Sequence, residues 1–144
     1  MRQLLIVLIA FTMLSCNKTN EQLSSGFWIF ESFDNKETGE QEIDTARHQL
    51  IVISFNESGE ITVNSIVNDC GGTYKVSNGF EVKELACTKM ASVDSLDNVL
   101  ENRFLEALTN SQTLHINNDQ LSIQYNIDGD DKNELVFSKN NCAC

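Results

Sequence analysis

The sequence predicts an α+β fold: a mostly antiparallel curved sheet or partial barrel of about eight short strands, with one helix at about residues 92–108 packed on it. Three observations carry this expectation. Short runs alternate apolar and polar residues and are separated by turn residues, the pattern of half-buried antiparallel strands. A single stretch, Ser92 to Leu108, has helical spacing instead. The chain contains no proline, so its turns must rest on Gly, Asn, Asp and Ser.

The elements follow in order. Phe27–Phe33 is the first expected strand, with Trp28 its largest side chain. Asp34–Ala46 is polar and acidic and reads as a long loop. Gln49–Phe55 places Ile51, Ile53 and Phe55 on one face and Leu50 and Val52 on the other, as expected of a central or helix-covered strand. Asn56–Gly59 turns the chain into Ile61–Ile66. Thr73–Val76 and Phe80–Leu85 form a second hairpin across Ser77–Gly79. In the helical stretch, residues 93, 96, 100, 104, 107 and 108 make the apolar stripe, flanked by Val99 and Leu105, and Ser92 or Ser95 is the expected cap. Leu114–Ile116 and Leu121–Ile127 form a third hairpin, and Glu134–Ser138 closes the fold.

The full chain carries 10 basic and 21 acidic residues, a net charge of −11. That surface repels phosphate backbones, so nucleic acid is excluded as a partner. The amino-terminal segment MRQLLIVLIAFTMLSC has one positive charge at Arg2 and an apolar run from Leu4 to Leu14. The run is too short to span a bilayer well and has the layout of an export signal. Its end, Leu14-Ser15-Cys16, resembles a bacterial lipobox, although Met13 stands where leucine is more usual. This divides the chain into a signal peptide at 1–15, the lipidated Cys16 with a polar tether at 16–25, a domain at 26–139, and a cysteine-containing tail at 140–144. The expected partner is thus the membrane, through a lipid on Cys16. Asn17 is not the acidic residue that retains many lipoproteins at the inner membrane, so the cell envelope, and within it the outer membrane, is the expected location.

An exported chain can form disulfides. If Val76 opposes Phe80 and Tyr74 opposes Val82, the second hairpin keeps its apolar residues on one face. Continued without interruption, that register sets Cys70 opposite Ala86 and turns Leu85 the wrong way. One bulge near Glu84 corrects both faults and brings Cys87 opposite Cys70. The expected pair is therefore Cys70–Cys87, with two free buried thiols as the alternative. Cys142 and Cys144 read as a frayed tail; a soft-metal site or a bridge to another chain are the other readings.

The middle of the chain resembles the META domain of the HslJ heat-shock protein family. The likeness rests on Gly26-Phe27-Trp28-Ile29, on Ile53-Ser54-Phe55 with the Gly59 turn, and on Asn68-Asp69-Cys70-Gly71-Gly72-Thr73-Tyr74. It continues through Thr88-Lys89-Met90-Ala91, the acidic-apolar stretch Leu100-Glu101 to Leu108, and the leucines at 114 and 121. Where the family often has cysteine after Met-Ala, this chain has Ser92, so a family disulfide does not carry over. The resemblance implies an envelope protein linked to stress or drug tolerance, with no catalytic residues.

Motifs for chemistry are few. The Gly-x-Ser-x-Gly elbow, phosphate loop and His-Glu-x-x-His helix are all missing from the sequence. His48 and His115 are the only histidines, and His115 faces away from Leu114 and Ile116, as a surface or rim residue does. Asp128–Glu134 clusters oxygens, but without EF-hand spacing and where a hairpin turn belongs. The acidic loop with Glu37, Glu40, Glu42 and Asp44 reads as solvated. We therefore expect no enzyme, cofactor or metal site, but an envelope lipoprotein that works through contact with an envelope protein partner. A lipocalin-like carrier of small apolar ligands is the alternative, because Gly26-Phe27-Trp28 also matches the Gly-x-Trp of that family. A core filled by Trp28, Phe55, Tyr74 and Phe104 would favour the META reading, and an open apolar cavity the carrier.

Overall fold

The computed structural model describes residues 18–39, 41–42, 50–127 and 129–140. Cys16, His48, Cys142, Cys144 and residues 40 and 43–46 of the acidic loop lie outside these residues. A short helix, α1, covers residues 18–24. Nine strands follow: β1 Phe27–Asn35, β2 Gln41–Glu42, β3 Val52–Phe55, β4 Glu60–Asn64, β5 Asp69–Val76, β6 Phe80–Cys87, β7 Ser111–Asn117, β8 Gln120–Ile127 and β9 Asp130–Asn140. Helix α2, Ser95–Thr109, lies between β6 and β7 in sequence.

The strands form one antiparallel sheet in the order β6-β5-β4-β3-β1-β9-β8-β7, with β2 added beside β1. The sheet is open. Its two ends curl toward each other without pairing among the described residues. They come close at Gly79, where a Cβ would sit 2.6 Å from the Gln112 carbonyl oxygen, so only a residue without a side chain fits there.

Two elements depart from the sequence reading at the amino-terminal side. The expected tether is helical over 18–24, and Leu23 is fully buried. Its carbonyl accepts the Trp28 indole N–H at 3.0 Å, and Lys139 Nζ donates to Ser25 Oγ at 2.8 Å. One leucine in a polar run gives no period, yet it anchors the segment. Strand β1 also runs two residues beyond Phe33, and with the two-residue β2 the described residues hold nine strands where about eight were expected.

A bulge between Phe30 and Ser32 shifts the phase of β1 against β9. Phe30 and Phe33, three apart, would otherwise face opposite sides. With the bulge both enter the core, their rings edge-to-face at 4.9 Å. Phe104 from α2 stands 5.0 Å from Phe30, and Phe137 5.5 Å. A second aromatic group, Phe55, Tyr74 and Phe80, fills the β3–β6 side. Trp28, Phe55, Tyr74 and Phe104 are all buried, so the core is packed in the way expected of the META reading, and nothing supports the carrier. Tyr74 also ties β5 to the β3–β4 turn: its hydroxyl donates to the Asn56 carbonyl at 2.7 Å, and its backbone N–H to that of Gly59 at 2.8 Å.

Strand β3 is interior to the sheet, as expected of a strand with apolar residues on both faces. It begins only at Val52, and Leu50 is exposed. The β5–β6 hairpin has the expected register. Val76 pairs with Phe80 and Tyr74 with Val82, then the ladder shifts, and Cys70 pairs with Cys87. The extra residue sits at Glu84, whose φ is +53°. Gly72 faces the bulge, where a Cβ would lie 2.8 Å from the Lys83 carbonyl oxygen and 3.1 Å from Leu85 Cα. The bulge and the glycine are thus one feature: the bulged backbone takes the space a side chain would need.

Helix α2 starts later than expected. Asp94, not Ser92 or Ser95, is its cap, accepting the Leu96 N–H at 2.9 Å. Ser92 instead braces the entry, donating to Asp97 Oδ2 at 2.9 Å and holding Asn98 through its backbone. The buried positions are Glu101, Phe104, Ala107 and Leu108. Val93 and Leu96, expected in the buried stripe, are exposed, because the first turn of the helix does not pack on the sheet.

Candidate functional site

Three of the segments that carry the family resemblance, those with Asn68, Thr88–Met90 and Glu101, meet at Asn68, in the turn between β4 and β5. Its backbone N–H donates to Glu101 Oε1 and its side-chain Nδ2 to Glu101 Oε2, each at 2.9 Å. Its Oδ1 accepts the Thr88 hydroxyl at 2.9 Å and the Met90 N–H at 2.8 Å. Thr88 in turn accepts the Asp69 N–H at 3.2 Å and donates its own backbone N–H to the Asp69 carbonyl at 3.0 Å. Ser65 Oγ donates to Glu101 Oε1.

This is a polar clamp in which donors and acceptors are matched. A carboxylate only accepts, and Asn68 turns its donors toward Glu101 and its acceptor toward Thr88 and Met90. Glu101 is only 3% exposed, which a charged group tolerates when its oxygens are hydrogen-bonded. The sequence reading passed over Glu101. The signal was there: it stands three and seven residues before Phe104 and Leu108, inside the buried stripe of α2.

Beside the clamp, Cys70 and Cys87 form a disulfide, S–S 2.02 Å, across β5 and β6. In the chain-entropy account a loop of this size stabilises by roughly 3 kcal/mol. The clamp and the bridge fix the chain where it leaves β6, and from there it presents an apolar strip to solvent. Met90, Leu96 and Val99 are each more than half exposed, and Val93 is fully exposed. Large apolar side chains gathered this way are unusual on a soluble surface and mark contact sites. Asp94 and Asp97 lie within the same stretch of sequence, where they accept from the Leu96 N–H and the Ser92 hydroxyl.

The other residues singled out from the sequence are dispersed. His115 is exposed on β7, remote in sequence from the clamp. The β8–β9 connection is a hairpin turn, with Ile127 paired to Asp130 and the Gly129 N–H donating to Asn126 Oδ1 at 3.0 Å.

The fold is similar to solved structures of low sequence identity. An NMR structure of a protein from Burkholderia xenovorans shares 17% identity at a TM-score of 0.64, with 87% of this chain and 88% of that one covered. A crystal structure of a DUF4847 family protein from Bacteroides vulgatus shares 18% identity at a TM-score of 0.61, covering 85% and 97%. A further NMR structure shares 26% identity at a TM-score of 0.60, covering 83% and 93%. No curated protein matches the sequence. The family model of the META domain matches residues 21–141, and the chain belongs to the META domain family.

Proposed function

We propose that this protein is a non-catalytic lipoprotein of the bacterial envelope, anchored through a lipid on Cys16 with the outer membrane favoured, that acts by binding another envelope protein. The observation that carries the reading is the strip Met90, Val93, Leu96 and Val99. Each such side chain left in water forgoes roughly 1.5–3 kcal/mol of burial, and the backbone is held at Met90 by Asn68, at Ser92 by Asn98 and at Leu96 by the Asp94 cap. A rigid, exposed, apolar strip suits docking more than it suits folding. The aspartates at 94 and 97 in the same stretch and the net charge of −11 call for a partner with an apolar groove and a basic rim. The Met1–Cys16 segment supports the anchor, and the family resemblance supports a link to stress or drug tolerance.

The test is photo-crosslinking from position 93 or 96 in intact cells. The expected product contains a distinct envelope protein, forms better at low salt, and disappears when Leu96→Ser and Val99→Ser are combined. A product made only of two copies of this chain, or one indifferent to those substitutions, overturns the contact reading. Cys16→Ala should move the protein from the membrane to the soluble fraction; unchanged membrane association overturns the anchor.

A further inference from the structure

Away from the clamp, a cleft of about 580 Å³ opens where β1 and β2 meet α2, β8 and β9. Its described lining is Phe33, Asp34, Asn35, Gln41, Glu42, Arg103, Tyr125 and Asn133. The volume is that of a small-molecule site, but the walls are polar where such sites are mostly apolar. We propose that this cleft binds a neutral saccharide.

The argument rests on how the polar groups are held and what they offer. Arg103 lies 4.0 Å over the Phe33 ring and forms an ion pair with Glu42, so its guanidinium is fixed from two sides. Asn35 donates its Nδ2 to Asn133 Oδ1 at 2.9 Å across the β1–β9 pair. Asn35 Oδ1 accepts the backbone N–H groups of Glu37 and Thr38, each at 3.0 Å, which locks its amide. Gln41 Nε2 reaches Ser32 Oγ at 3.3 Å. Three primary amides, a guanidinium fork and a carboxylate therefore line one cleft, with Asn35 and Arg103 held by the contacts just described.

Charge decides the class of ligand. The one cation of the described lining is paired with Glu42, and Asp34 adds a further negative charge, which disfavours phosphates and carboxylates. An apolar ligand would strip water from the amides without replacing its hydrogen bonds. Hydroxyl groups both donate and accept, as amides do. A guanidinium presents its donors as a planar fork, which can span two adjacent hydroxyls of one sugar ring.

The test is a titration of the 15N-labelled protein, read at the side-chain amides of Asn35, Gln41 and Asn133. The probes are the β-1,4-linked trimer of N-acetylglucosamine, maltotriose, and trigalacturonate as an anionic saccharide. The expected result is saturable shifts at these amides with at least one neutral trimer and weaker binding of trigalacturonate. Arg103→Ala should weaken the neutral ligand about tenfold, the size of one good polar contact. Arg103→Lys keeps the charge but lacks the fork and should also weaken it, with the Trp28 indole signal unmoved as the check that the fold is intact. No saturable shift with either neutral trimer, shifts confined to other residues, or tighter binding of trigalacturonate would each overturn the proposal.

Discussion

Glu101 on α2 and Asn68 in the β4–β5 turn, 33 residues apart, are joined by two hydrogen bonds of 2.9 Å, one from the backbone N–H and one from the side chain. The pair fixes the helix to the sheet by its polar groups rather than by apolar packing alone. Both carboxylate oxygens are needed as acceptors, because Asn68 Oδ1 is committed to Thr88 and Met90.

Glu101→Ala should destabilise the fold by about 3 kcal/mol, since it leaves buried donors without acceptors. Glu101→Gln should cost less, about 1–2 kcal/mol, because it sets one amide donor against the Asn68 Nδ2 donor while keeping one acceptor. Urea unfolding of the three proteins checks the order. Equal stability of Glu101→Gln and the parent would show that the carboxylate is not required.

The two adjacent glycines of β5 should respond oppositely. Gly71 has open space where a Cβ would be, whereas Gly72 faces the bulged backbone at 2.8 Å. Gly71→Ala should be neutral within about 0.5 kcal/mol. Gly72→Ala should cost roughly 1–3 kcal/mol, the range for overpacking. Thermal unfolding of both variants separates them, and a neutral Gly72→Ala would place the bulge elsewhere.

Burial raises the Tyr74 hydroxyl above the usual tyrosine value of 10.0, and the charge of Glu57 adds to the shift. The folded state then holds its proton at a pH where the unfolded chain has lost it. Stability is unaffected below the unfolded value and falls as the pH rises above it. Tyr74→Phe should abolish this alkaline loss while costing about 1 kcal/mol near neutrality, for the hydrogen bond to Asn56. Unfolding midpoints on both sides of the tyrosine range check it; parallel pH profiles for the two proteins would contradict it.

Leu23→Ala should cost about 2–5 kcal/mol, the range for emptying a buried leucine site. Removing α1 as a whole should also redshift the fluorescence of Trp28, whose indole N–H loses its acceptor at Leu23. A truncated chain with unchanged emission and midpoint would mean that residues 18–24 are the tether their polarity suggests.

What the sequence disclosed depended on period. The β5–β6 bulge was legible because Leu85 fell out of phase in a hairpin otherwise strictly alternating, and because two cysteines needed the same one-residue correction. The bulge in β1 was not, since Phe33 reads as a plausible strand end in either phase. Helix α1 and strand β2 carry too few residues to show a period at all. Of the clamp, Asn68, Thr88 and Met90 stood within recognisable motifs. Glu101 did not stand out, because a charged residue in a helix ordinarily faces water. Val93 and Leu96 of the exposed strip were read as core, because spacing records which residues share a face and not what lies opposite them.

Phe27 pairs with Asn140 at one end of the β1–β9 ladder, and Asn35 with Asn133 at the other. Eight residues of strand at about 3.3 Å each put roughly 25 Å between the two pairs. Strand β1 thus begins and β9 ends at one pole of the sheet, while Asn35 and Asn133, which line the Arg103 cleft, lie at the opposite pole. A fluorophore or affinity handle attached at Asn140 would therefore sit at the far end of the β1–β9 ladder from the cleft and leave it free.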